Sequence, residues 1–336
     1  MTESSTRFDF GGAGLSVTAN SSAWTDWLRR SFPTFIDDAP ARADDFTLNV
    51  IETRNPGPGP KLPLTWAGHL PDGFMGRVSE MEGVAVLEVE GGGVTVIDHR
   101  KRAAAAHVRP ASYAQFFGSA VMLVVDAAIA AGDQQLVHGA SLVEKKSGRA
   151  VLICVPSGGG KTTTALALAH DGFSLMTDDA SVLIPDATRP QVWGLPRMLK
   201  VHRNTARLMP WVGPLPDIWD ANGEQGLSLD SLAGRIDVAA PGPAELGAVF
   251  LLGPRSPGPH RVSPLPKAEM LIAVSHDNVA WRAAGMVSKA LLRFDVLART
   301  IALAPTFRIE AGPDLASLPG LVVAAVNGEI AEEASA

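Results

Sequence analysis

Apolar and polar positions along the chain fall into short runs at first and a tighter strand, loop and helix pattern later. Leu15 to Thr18 and Phe46 to Ile51 read as strands, and a helix is expected around Trp24 to Phe32, after a serine cap at Ser21 and Ser22. Asn55-Pro56-Gly57-Pro58-Gly59-Pro60 has no helix or strand capacity and predicts an exposed loop. Val84 to Val89 and Val94 to Ile97 flank Glu90-Gly91-Gly92-Gly93 as a β-hairpin would, and Asp98 to Arg102 reads as its solvated end. An apolar stretch from Ser112 to Ala131, stopped by Gly132, predicts a buried helix that closes a first domain.

From Gln134 onward the pattern changes. Leu136 to Val143 is strand-like, Glu144 to Arg149 is a charged turn, and Val151 to Val155 is a second strand, so the two are expected to pair antiparallel. That differs from the strand-helix-strand alternation of a dinucleotide-binding unit. Pro156-Ser157-Gly158-Gly159-Gly160-Lys161-Thr162 follows, and then an alanine-rich helix pattern from Thr163 to His170. Phe173 to Thr177 forms another strand, ending on Asp178 and Asp179. Val182 to Ile184 and Gln191 to Trp193 continue the sheet, Ala248 to Leu252 adds a strand, and helices are expected near 267–274 and 284–303. The stretch from Asn327 onward reads as frayed.

Buried strand, glycine loop and helix are the context of a P-loop. Three glycines let backbone N–H groups converge on phosphate oxygens, and the helix adds its positive end. Pro156, Ser157, Gly158, Gly159, Gly160, Lys161, Thr162 and Thr163 are the candidate ATP-binding residues, with Lys161 neutralising the outer phosphates and Thr162 holding Mg2+. Val155 stands where the usual first glycine would be, and Pro156 supplies the bend.

Composition narrows the field. The 336 residues suit one large or two medium domains, and the expected division is 1–132, α+β, and 133–336, carrying the P-loop. A formal net charge of -6 argues against a nucleic-acid partner and favours a neutral or basic acceptor. The single cysteine, Cys154, lies within a predicted buried strand, which suits a reducing cytoplasm. Met1 to Phe10 is polar, so no signal peptide is expected, and the apolar run from Phe116 to Gly132 is short and broken by Asp126, so no membrane span is expected.

A phosphoryl-transfer site needs a phosphate cradle, a metal and a group that takes the acceptor's proton. Asp178 and Asp179 are the candidates for the last two, since a strand after the P-loop helix commonly lies beside the P-loop strand. Alternation along a strand lets only one of the pair face the phosphate, the other acting through metal, water or backbone. His138 lies on the preceding apolar strand. Arg197, Lys200, His202 and Arg203 follow the Gly194-Leu195-Pro196 bend as a basic cluster that could steady a triphosphate or an acidic acceptor.

In order, His138-Gly139, the Val155 to Thr162 loop, Thr177-Asp178-Asp179 and Gly194-Leu195-Pro196 resemble the C-terminal domain of the HPr serine kinase/phosphorylase family, above all its peptide-modifying relatives of the lasso-peptide type. The resemblance implies an α/β (α+β) P-loop kinase domain of the kind shared with phosphoenolpyruvate carboxykinase. It also implies ATP and Mg2+ as cofactors, with Thr162 and Asp178 at the metal, Asp179 as base and His138 in the active site. The family's glutamate falls near Gln191, and Trp193-Gly194-Leu195-Pro196 replaces its Arg-Gly-Leu-Gly signature, which argues against phosphorylase activity and against HPr as acceptor.

The expected function is an ATP-dependent serine kinase acting on a peptide or protein. Two alternatives stay open: a small-molecule hydroxyl kinase or carboxykinase relative, with Arg197, Arg203 and Arg207 near its substrate, and a non-catalytic ATP-binding switch. The first domain would recognise the acceptor or join copies into a homo-oligomer.

Overall fold

The structure is a computed structural model that describes residues 3–70, 73–155, 159–195, 198–220, 223–276, 278 and 290–330. The chain is a mixed α/β protein of two compact units, Met1–Leu136 with Asn278–Val296 and Val137–Asp277 with Leu297–Ala336. The first unit thus takes back a stretch from within the range 133–336.

In the first unit β1 (Ser4–Asp9) and β2 (Gly14–Ala19) lead into α1 (Ser22–Ser31) and then β3 (Phe46–Glu52). The meander β4 (Leu64–His69), β5 (Met75–Met81), β6 (Val84–Val89), β7 (Gly93–Asp98) and β8 (Ala103–Val108) follows. One eight-stranded sheet results, in the order β1-β2-β3-β8-β7-β6-β5-β4. The expected hairpin is β6 and β7. Ser21 occupies the N-cap of α1 but makes no capping bond with its side chain, so the cap expected there is positional only.

The helix expected from Ser112 comes in three pieces: α2 (Tyr113–Gln115), a π-helical turn at Phe116–Val121, and α3 (Met122–Ala131). Tyr113–Ala131 is the one stretch among the described residues long and apolar enough to cross a membrane. Residues 124–130 of α3 are all buried, and α3 packs on β2 and β3. Trp24, Phe8, Phe10, Phe32 and Phe35 fill the same core, each contributing roughly 1.5–3 kcal/mol by leaving water.

Arg7 is buried in this unit and held on several sides. Its Nε and Nη2 donate to the two oxygens of Asp45 at 2.8 and 2.9 Å, and Nη1 donates to Asp37. The Ser16 hydroxyl and the Arg42 amide also donate to Asp45, at 2.6 and 2.9 Å. Burial alone pushes the Asp45 carboxyl up, but these donors outweigh it and hold it at about 2.

The second unit begins within β9 (Gln135–His138) and runs through β10 (Ala140–Glu144), β11 (Ala150–Cys154), α4 (Lys161–His170), β12 (Phe173–Thr177), β13 (Ala180–Ile184) and β14 (Gln191–Leu195). A two-stranded ribbon, β15 (Leu199–His202) and β16 (Glu224–Leu227), encloses α5 (Arg203–Leu208). Then come β17 (Asp237–Val238), β18 (Ala244–Leu252), β19 (Arg261–Pro264), α6 (Lys267–Ser275), α7 (Ala290–Leu303, which joins this unit from Leu297 onward), β20 (Thr306–Glu310) and α8 (Leu318–Val326). The part of the expected 284–303 helix before Ala290 lies outside the described residues, as does the end of the stretch expected to fray, whose first residues, Asn327, Gly328 and Glu329, donate back to α8 carbonyls.

Strand direction positions the site. β10 and β11 form the antiparallel pair the sequence predicts. β12, however, pairs with β10 rather than lying beside β11, because the hairpin already occupies that flank. Being antiparallel to β10, β12 points the same way as β11. β18 runs parallel to β11, and β20 parallel to β18. Four strands therefore end on one edge, and β10 starts there. The core beneath joins Val151 and Ile153 of β11, Leu166 and Leu168 of α4, Phe250, Phe307, Leu318 and Val322.

Candidate functional site

Chain segments far apart in sequence emerge together at that shared edge, where crevices of parallel sheets take ligands. After β11 the chain passes to Gly160, whose φ of +95° is the left-handed region that a side chain strains to adopt, and α4 starts at Lys161. Pro156, Ser157 and Gly158 lie outside the described residues. Thr164 N–H donates to the Gly160 carbonyl at 3.0 Å, so the helix ladder begins there.

Lys161, Thr162, Asp178, Asp179 and His138 come together in this structure. The Thr162 hydroxyl donates to Asp178 Oδ2 at 2.7 Å, and Lys161 Nζ lies 2.5 Å from His138 Nε2. The same Nε2 is 3.3 Å from Asp179 Oδ1. A neutral imidazole with Nε2 bare accepts from Lys161, whereas one protonated there donates to Asp179, so His138 can stand between cation and carboxylate in two states.

The two acids have different surroundings. Both lie past the end of β12, in the bend before β13, where the backbone rather than strand alternation sets their directions. Asp178 is 3 % exposed, while the Asp179 side chain is 42 % exposed. Burial is the main reason the Asp178 carboxyl rises to about 6; the Thr162 bond and Lys161 pull it back, and Asp179 pushes it further up. Asp179 is fixed through its backbone instead: Gly139 N–H donates to its carbonyl at 3.0 Å, which ties the strand end carrying His138 to the bend carrying the acids. The Ser181 hydroxyl steadies the Gly139 carbonyl at 3.0 Å, and Thr177 donates to the Leu195 carbonyl at 2.9 Å. Gly194 lets β14 come this close, since a Cβ there would sit 2.4 Å from that of Met176.

A hydroxyl and a carboxylate oxygen 2.7 Å apart make the hard oxygen pair that Mg2+ takes, so Thr162 and Asp178 fit that ion. Among the described residues no group of three or more His, Cys, Asp or Glu side chains gathers to hold a metal. The remaining ligands of an ion here would come from phosphate oxygens and water.

Other expected residues fall elsewhere. Gln191 pairs with Ile184 and Glu245 at the opposite end of β14, about 13 Å of extended chain from Leu195, so it cannot serve the metal or the phosphates. The Thr163 hydroxyl meets that of Thr205, 2.7 Å away and buried, and Thr163 also lines a pocket beside α4. Arg203 lies over the Trp219 ring at 5.4 Å and 3.8 Å from Asp217, while Lys200 is exposed on β15. Arg197 lies outside the described residues.

A pocket of about 170 Å³ opens beside the first turn of α4. Gly160, Leu208, Leu252, Arg255, Ser256 and Pro313 are among the residues around it. Sequence reading gave residues 253–259 no role. The available signal was that they follow the apolar strand Ala248 to Leu252, but only the parallel pairing of β18 with β11 brings them to the shared edge.

No protein-family model and no curated protein matches the chain. Among solved structures it is similar to the "Structure of the Hpr(Ser) kinase/phosphatase from Coxiella burnetii". The two are 15 % identical over 58 % of this chain and 95 % of that one, with a TM-score of 0.28. A likeness at that score says nothing of what this chain binds.

Proposed function

We propose that the chain is an ATP-dependent phosphotransferase that moves a γ-phosphoryl group to the hydroxyl, expected to be a serine, of a peptide or protein. The observation that carries this reading is the meeting of Lys161, Thr162 and His138 with one buried and one accessible carboxylate at the start of α4. The amides at the start of α4 and Lys161 hold the outer phosphates and stabilise the charge that develops as the phosphoryl group moves. Mg2+ held by Thr162 and Asp178 would add neutralising charge between phosphates. The pocket by Arg255 and Pro313 takes the rest of the nucleotide.

Asp179, accessible and 3.3 Å from His138, takes the proton as the acceptor O–H bond breaks. The acceptor oxygen bonds to the γ-phosphorus, the bond to the β-phosphate oxygen breaks, and ADP leaves. His138 then offers the proton a second site. Asp179→Asn should lower the rate of phosphate addition, followed by mass spectrometry of an acceptor peptide, by about 10²–10⁴-fold, with nucleotide affinity kept within about threefold. Unchanged transfer in that variant would remove Asp179 as the base. Absence of transfer in the unaltered protein, with nucleotide bound, would leave a binding protein and refute the kinase reading.

A further inference from the structure

The stretch from Leu195 to Leu208 connects the two halves of the site. At its start the Leu195 carbonyl accepts from Thr177, just before the acids, and at its end Leu208 lines the pocket beside α4. Between them Thr205 is bonded to Thr163, so the buried side of α5 is fixed on the first turn of the phosphate helix. The outward side is basic. Strand alternation turns Lys200 and His202 outward on β15 while Leu199 and Val201 are buried. Arg203 and Arg207, four residues apart, share the exposed face of α5.

From Met198 to Leu208 there is no acidic residue, in a chain whose formal net charge is -6. Among the described residues no ion pair involves Lys200 or Arg207. Acids do flank the surface: Asp217 meets Arg203, and Glu224 lies across the ribbon from His202. Neither makes an ion pair with Lys200 or Arg207. Met198, Leu208 and Ile218, exposed at 62, 46 and 75 %, interleave with the cations. Exposed apolar side chains beside spaced cations suit a peptide with acidic and apolar residues better than a nucleic acid, whose contacts run mainly to phosphates.

We propose that β15 and α5 form a docking surface for the acceptor, and that the acceptor is a peptide segment carrying Asp or Glu near its reactive hydroxyl, read by Lys200 and Arg207. The proposal rests on the kinase reading for its purpose, and it reverses the neutral or basic acceptor that bulk charge suggests. Only the local field matters at this range, because salt screens charges more than about 10 Å away at 0.1 M ionic strength.

The test uses the full chain and two fluorescein-labelled peptides of fifteen residues, each with one central serine, flanked by Asp and Glu in one and by Asn and Gln in the other. The acidic peptide should bind at least tenfold more tightly, and 0.5 M NaCl should abolish most of that preference. In K200Q/R207Q the preference should fall below threefold while ADP still binds, which shows the variant is folded. K200E/R207E should prefer a peptide flanked by Lys and Arg. Equal binding of the two peptides to the unaltered protein overturns the proposal, and so does displacement of the acidic peptide by a short single-stranded RNA at equal concentration. Acidic preference in binding with no phosphate transferred to either peptide would uphold the docking surface and refute the kinase reading.

Discussion

At the residue scale the site turns on a buried acid. Asp178 has its carboxyl raised to about 6 against an ordinary 3.8, chiefly by burial. The folded chain therefore binds a proton there that the unfolded chain has already lost between those two values. Its contribution to stability is full below the unfolded value, falls as pH rises through about 6, and is level above it. Asp178→Asn removes that loss. Urea unfolding at pH 7.5 should show the variant gaining on the order of 2 kcal/mol over the parent, and at pH 4 the gain should vanish. Equal differences at both pH values would mean that Asp178 is not the titrating group. The same substitution should weaken the Mg2+ dependence of nucleotide binding, since an amide oxygen is a poorer partner for that ion than a carboxylate.

Among elements, the phosphate helix is joined to α5 by two hydroxyls. Thr205→Val leaves the buried Thr163 hydroxyl without its partner, and a loss of about 1–3 kcal/mol is expected in urea unfolding. Restoring an apolar pair with Thr163→Val in addition should recover part of it, so the double variant should cost less than the sum of the single changes. Additive losses would show that the two hydroxyls act independently. This bond is also where sequence reading stopped. The strand, loop and helix of 150–170 and the strand ending on the acids were legible because apolar runs and glycines announce them directly. Thr163 stood among the phosphate candidates, and nothing local shows that a threonine forty-two residues on would bond its hydroxyl. Gln191 was placed by the family resemblance, but β14 runs antiparallel to β13 and carries it to the far end. β1 and β4 went unread because their sequences, SSTRFD and LTWAGH, mix polar, small and apolar residues with no run long enough to mark a strand.

For the whole molecule, the chemistry of the two units is separable. Asp45 is held at about 2, below its ordinary 3.8, so it supports the first unit above that ordinary value and ceases to do so as pH falls through about 2. Asp45→Ala takes the two-oxygen partner from the Arg7 guanidinium, which is 4 % exposed, and leaves it Asp37 and Asp9, so it should cost about 1.5–3 kcal/mol in chemical unfolding at pH 7. Because every nucleotide residue named here lies in the second unit, ADP affinity measured by calorimetry at 20 °C should stay within twofold in that variant. A larger change would show that the first unit supports the cradle.

The parallel pairing of β20 with β18 has a further consequence for how the protein comes to exist. The phosphate loop is translated near the middle of the chain, yet one wall of its pocket, Ala311 to Pro313, is made only after β20. A nascent chain halted before Thr306 would have every charged group of the site and still lack one wall of the pocket beside α4. Completing that pocket therefore has to wait for contacts that are distant in sequence, which form slowly. Until then the apolar edge of β18 is open to the ribosome's surroundings, where a chaperone or another unfinished chain can reach it first.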